Sequence, residues 1–120
     1  MTVIDYLNKL FKEKKLNTGK IEKYDFEIKG ILCPKKGHKD QVFITGNLDN
    51  DKIKEIKYIC MYCDPYMYVA AQISSEIFKG LSAKEIEDVD KYKIVEITGI
   101  EDNKLTEHFE RVKYLILSQL

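Results

Sequence analysis

Cys60–Gly80, CMYCDPYMYVAAQISSEIFKG, decides how the rest of the chain is read, because two thiols run directly into a strong helix start. Asp64 can accept from the first unpaired N–H groups, and Pro65 suits the first helical position, where its missing donor costs no hydrogen bond. The spacing predicts a helix from about Pro65. Val69, Ala70, Ile73 and Ile77 recur at three- and four-residue intervals, giving one apolar face and directing Gln72, Ser75 and Lys79 toward water. Gly80 ends the helix. Cys63 then stands just ahead of a helix N-terminus, where the dipole and unpaired N–H groups favour negative charge. A thiolate at such a place suits metal ligation or sulfur acceptance.

Upstream, residues 2 to 15 place Val3, Ile4, Leu7, Leu10 and Phe11 on one face of an amphipathic helix that Asn17-Thr18-Gly19 ends. The period then changes. Tyr24, Phe26 and Ile28 alternate with Asp25, Glu27 and Lys29 as a half-buried strand running toward Cys33, which Pro34 and Gly37 break. Gln41 to Leu48 is β-branched and aromatic, and Asp49-Asn50-Asp51 is a turn leading to Lys52–Cys60, where Ile56, Tyr58 and Cys60 share a face. Three adjacent strands with short links predict an antiparallel meander. Downstream, Ser82 and Glu85 form a capping box, with Leu81 positioned to staple to Ile86. Asp90 to Ile100 fits a helical turn ending at Gly99 better than a short strand. Leu105, Phe109, Val112, Ile116 and Leu120 keep helical spacing to the end, with Glu107, Glu110 and Lys113 outside.

Composition narrows the function classes. Twenty basic and twenty acidic side chains in 120 residues give a formal charge of zero, so no global field points to nucleic acid or an anionic membrane. No apolar run approaches the roughly 20 residues of a membrane span, and MTVIDYLNKLFKEKK lacks the pattern of a cleaved export signal. A cytoplasmic protein with one domain over residues 1–120 is the expectation. Three cysteines fit thiols held reduced or bound to metal better than a disulfide framework.

The thiols and the two histidines group in two ways. Cys33-x4-His38 with Cys60-x2-Cys63 has the spacing of a closed tetrahedral zinc site. Alternatively, Cys33, Cys63 and His108 converge from a strand end, a helix start and the last helix, with Cys60 as a fourth ligand. The order of elements, the alanine- and serine-rich helix in YVAAQISSEIFKGLSAKEIEDV (68–89), the Lys79-Gly80-Leu81-Ser82 turn and the late His108 resemble the IscU/NifU-type iron–sulfur cluster scaffold family. The resemblance covers the chain from about Ile28 onward. The chain departs from the family pattern where Cys33 is followed by Pro34-Lys35 rather than Gly-Asp, where Phe109 stands in place of the third cysteine, in Gly99–Glu107, which has no counterpart of the family's Leu-Pro-Pro-Val-Lys stretch, and in the additional thiol of Cys60.

The resemblance implies an α+β fold with a three-stranded antiparallel sheet packed with helices. It also implies a carrier rather than an enzyme, one that binds a transient iron–sulfur cluster, its precursors or zinc through Cys33, Cys63 and His108, to which Cys60, a thiol outside the family pattern, is added as a fourth metal ligand. The implied partners are a cysteine desulfurase and iron–sulfur recipient proteins. Two alternatives stand beside it: a small domain with a structural zinc site of Cys33, His38, Cys60 and Cys63, and a metal-free member of the family acting as a protein-interaction domain.

Overall fold

The computed structural model describes residues 1–13, 16–30 and 41–120. The sheet is built from a tight hairpin. Asn50 and Asp51 both take left-handed backbone, at φ 53° and 63°, which a two-residue hairpin loop requires and which these residue types tolerate best after glycine. They join β2 (Gln41–Asp49) to β3 (Lys52–Met61), and β1 (Phe26–Ile28) pairs with the other edge of β2. Both pairings are antiparallel, so the strands form the expected meander. Asn47 opposes Glu55 while Leu48 opposes Ile53, leaving Lys54 as an extra residue on β3. That bulge puts Ile53 and Ile56, three positions apart, on the same buried face. On the neighbouring strands Val42, Ile44 and Phe26 complete this face, and the Phe26 ring lies over Gly46, where a Cβ would overlap it.

Helices cover that face. α1 (Val3–Glu13) and α2 (Pro65–Ile77) pack on each other, and α2 also packs on β3 and on α5 (Asn103–Leu117). α3 (Ala83–Glu87) and α4 (Lys93–Thr98) lie between them in sequence and pack on α5. The architecture is therefore α+β, with a three-stranded antiparallel sheet and five helices among the described residues. The helix limits follow the capping chemistry. Asp64 accepts from Met67 N at 2.8 Å, and Pro65 is the first helical residue. Ser82 and Glu85 exchange both bonds of the capping box, Gly99 closes α4 at φ 72°, and Asp102 caps α5.

Three expectations about faces are corrected. Gln72 and Ser75 do not face water but are fully enclosed, because α2 has neighbours on several sides and no broad solvent face over its first three turns. The Gln72 Oε1 accepts from the Tyr58 hydroxyl at 2.7 Å and from Asn17 N at 3.0 Å, while its Nε2 donates to Glu76 at 2.8 Å. Asn17 Nδ2 donates to Ser75 Oγ at 3.0 Å, and the Asn17 carbonyl accepts from Tyr58 N at 3.1 Å. In α1, Val3 and Leu10 are buried and Tyr6 and Leu7 partly so, whereas Ile4 and Phe11 lie on the exposed flank, Phe11 touching the Tyr68 ring edge-on at 5.4 Å. Lys113 is buried rather than outside: its Nζ donates to the carbonyls of Glu87 and Val89 at 3.0 and 2.7 Å, satisfying the end of α3.

The Tyr58–Gln72 bond yields two expected outcomes. Gln72→Leu leaves the buried Tyr58 hydroxyl without its acceptor and lowers stability by about 2–3 kcal/mol. Tyr58→Phe in the same chain recovers part of that loss; strictly additive effects in urea denaturation would contradict the coupling. Burial holds the Tyr58 phenol well above its ordinary value of 10.0, so the folded protein keeps this proton where the unfolded chain loses it. Stability contributed by the neutral phenol is complete below pH 10 and falls by up to about 1.4 kcal/mol per pH unit above it. Alkaline denaturation is accordingly shallower in Tyr58→Phe.

Candidate functional site

β3 ends where Met61 pairs with Gln41, and the chain must reverse within two residues to begin α2. Tyr62 makes the reversal with left-handed backbone at φ 59°, its side chain 81% exposed. A bulky residue held there costs about 1–3 kcal/mol, a strain that concentrates at functional sites. The turn brings Cys63 back against the start of β2, where its thiol donates to the Gln41 carbonyl at 3.4 Å. Cys63 is half-buried and unbridged.

The next residue, Asp64, uses its two carboxylate oxygens differently. Oδ1 caps α2 through Met67 N, while Oδ2 faces His108 Nε2 at 3.7 Å. His108 comes from the second turn of α5 and is 7% exposed. Its Nδ1 lies 2.6 Å from the Lys104 carbonyl, which can only accept, so Nδ1 carries a proton and Nε2 is the nitrogen presented to Asp64. The imidazole stacks on Tyr66 with centroids 6.1 Å apart, and Lys104 Nζ stands 5.7 Å from the centre of the Tyr66 ring. A hydrogen bond from the Tyr66 hydroxyl to Asp102, reinforced by that carboxylate's charge, holds the phenol above its usual range. Tyr66, Asp102 and Lys104 therefore pin the histidine from outside while the Lys104 carbonyl pins it along the helix.

Cys60 lies on the core face of β3, opposite Val42, half-buried and packed with the apolar cluster. Burial and then the charges of Cys60 and Cys63 push the Tyr68 phenol upward, so both sulfurs lie within electrostatic range of one ring. Cys33 and His38 fall outside the described residues, and with them both complete four-ligand groupings. The described chain on either side of residues 31–40 stands at the Cys63 end of the sheet, since Ile28 pairs with Ile44 and Gln41 with Met61. Phe109, at the third-cysteine position, is core and stacks on Phe78 at 5.7 Å.

The structure thus sets Asp64, the residue after Cys63, against His108, although the sequence marked Asp64 only as a helix cap. Among the described residues no three Cys, His, Asp or Glu side chains already enclose a metal position. The Cys63 sulfur is turned onto Gln41 instead. No helix among them is long and apolar enough to cross a membrane.

In sequence the chain matches no family model and no curated protein. In structure it is similar to the crystal structure of a nitrogen-fixing NifU-like protein (N-terminal) from Brucella abortus, with TM-score 0.53 and 12% identity over 98% of this chain and 85% of that one. It is also similar to a crystal structure described as a hypothetical protein, with TM-score 0.52 and 15% identity over 93% of this chain and 82% of the other. At these identities the likeness is one of fold.

The Tyr62 backbone supplies a test of the turn. Asn tolerates left-handed backbone, and the exposed tyrosine ring gives up little packing, so Tyr62→Asn stabilises the protein by about 0.5–1 kcal/mol. Tyr62→Val, β-branched, is expected to lower the thermal midpoint. The reverse order would show that the turn is not strained.

Proposed function

We propose that this chain is a divergent NifU-like scaffold or carrier for iron–sulfur assembly, holding iron–sulfur precursors or zinc through Cys33, Cys60, Cys63 and His108. The observation that supports the proposal is the contact of His108, from α5, with Asp64, the residue after Cys63 at the start of α2, within a fold shared with a NifU-like N-terminal domain. Their chemistry suits the cargo: thiolate sulfur and neutral imidazole nitrogen both bind Fe2+ and Zn2+. Their placement suits release. Cys63 is half-buried at a chain reversal rather than sealed in the core, so a bound cluster would remain accessible to a recipient protein.

The implied reaction sequence needs sulfur delivered by a cysteine desulfurase and a recipient that takes the finished cluster. The chain carries cargo and catalyses no step of its own in this reading. His108, fixed through Nδ1, offers Nε2 as the ligating atom, and Cys63 gives up its bond to the Gln41 carbonyl to ligate.

Anaerobic reconstitution with Fe2+ and sulfide tests the proposal. Wild-type protein is expected to develop visible thiolate-to-iron absorbance that Cys63→Ser abolishes and His108→Ala weakens, while chelation removes the colour and leaves the fold intact. Folded wild-type protein that stays colourless would sink the scaffold reading. Unfolding on chelation would favour the closed structural zinc site of Cys33, His38, Cys60 and Cys63.

A further inference from the structure

We infer that the face of the sheet turned away from the helices carries a binding bay for a small organic anion with an apolar body, a medium-chain carboxylate. The segment after α1 builds it. Its backbone bonds the edge of β3 from Gly19 N to the Tyr58 carbonyl at 2.9 Å, then crosses the outer face, where Ile21 N donates to Thr45 Oγ1 at 3.0 Å. It reaches the β1 side where Asp25 N donates to the Gly46 carbonyl at 2.9 Å. The crossing buries Thr45 and leaves accessible the next outward pair on β2 and β3, Phe43 and Ile59, which oppose each other directly. Among the described residues the resulting cavity, about 320 Å3, has Phe43 and Ile59 as its floor, with Thr45, Lys20, Glu27 and Lys29 around it. Neither Cys63 nor His108 lines it, so ligand binding here needs no metal.

The surrounding charges select the ligand. A cavity of this size stands at the lower limit of small-molecule sites, which combine an apolar lining with a few placed polar groups. Glu27 and Lys29 pair at 3.5 Å, but the lysine side chain is 73% exposed and the glutamate only 14%, so the ammonium is the charge presented. The carboxylate is also matched from within: a hydrogen bond from the Tyr24 hydroxyl, with the charges of Lys29 and Lys20, holds it below its usual range. Lys20 Nζ stands 5.6 Å from the centre of the Tyr24 ring, placing a second ammonium at the rim. Two ammoniums against one matched carboxylate leave a positive rim over an apolar floor. An inorganic anion gains nothing from Phe43 and Ile59, and a neutral apolar molecule gains nothing from the lysines. The crossing segment stands above the face, so a second sheet cannot pack flat over the bay.

The experiment is an amide-resolved NMR titration with octanoate, octanol and butyrate at low salt, where exposed ammoniums are least screened. Octanoate should shift the amides of Gly19, Lys29, Phe43 and Ile59 saturably. It should bind about tenfold or more tightly than butyrate, which lacks four methylenes, and about threefold more tightly than octanol. Lys20→Gln with Lys29→Gln should remove the preference over octanol, and Ile59→Glu should abolish the octanoate shifts. Ile59→Thr, which keeps a β-branched strand residue, should weaken them with the fold intact, whereas Lys12→Gln on α1 should leave binding unchanged. No saturable shift at these amides in folded wild type would overturn the site, and equal binding of octanoate and octanol would overturn the anionic ligand. Movement of the same amides on simple dilution would assign the bay to a second copy of the chain. Shifts with a short leucine–glutamate peptide but not with octanoate would assign it to a protein partner, and either result would overturn the small-molecule site.

Discussion

A single buried amide holds the parts of this fold in register. Gln72, in the middle of α2, takes hydrogen bonds at one oxygen from the Tyr58 hydroxyl on β3 and from the backbone of Asn17 in the segment after α1. Leaving any of these groups unpaired in the core costs far more than the bond contributes when made, so the arrangement acts as a positional lock rather than a large source of stability. Asn17 strengthens it by bonding Ser75 and by adding its backbone to the edge of β3, where Gly19 N also bonds the Tyr58 carbonyl. Sheet, α2 and the segment after α1 therefore cannot slide independently. With α2 fixed against β3, the place at which α2 begins is fixed as well.

That beginning is where the chain spends its strain. β3 runs out at Met61 and α2 starts at Pro65, leaving Tyr62 to absorb the change of direction in a backbone region that tyrosine avoids. A looser connection of several residues could make the same reversal without strain, but it would not deliver Cys63 and Asp64 to a defined position between Gln41 and His108. The division of labour in Asp64 depends on this: one oxygen terminates the helix and the other meets the histidine. Helix capping and site geometry are thus enforced by the same side chain.

Much of the frame was legible because it rests on local chemistry. Asp64-Pro65, the Ser82–Glu85 box, Gly99 and the Asn50-Asp51 turn each act within a few residues, and each limits an element where the sequence pattern placed it. The errors came where tertiary neighbours decide. Gln72 and Ser75 read as solvent-facing because a helical pattern records which positions are polar, not whether another segment arrives to pair with them. Lys113 was misplaced for the same reason: its ammonium finds the carbonyls of Glu87, the last residue of α3, and of Val89 just beyond it, 26 and 24 residues away. Tyr6 joined the inner face of α1 and Ile4 left it because the helix lies at a rotation that the apolar count alone does not fix.

The site shows the same boundary between local and non-local information. Cys63 and His108 were expected to share a site, from a helix start and a late position in the chain, yet the side chain that meets His108 is Asp64, whose local role was already satisfied. A capping aspartate has two oxygens, and capping needs one; the destination of the other is set by α5, which packs against α2 some forty residues later in sequence. The Lys104 carbonyl makes that destination specific, because it occupies Nδ1 of His108 and leaves the opposite edge of the ring to face α2. The packed α2–α5 junction thus holds the imidazole against the carboxylate, while the thiol of the preceding residue, at the end of the strained reversal, is bonded to β2 through the Gln41 carbonyl.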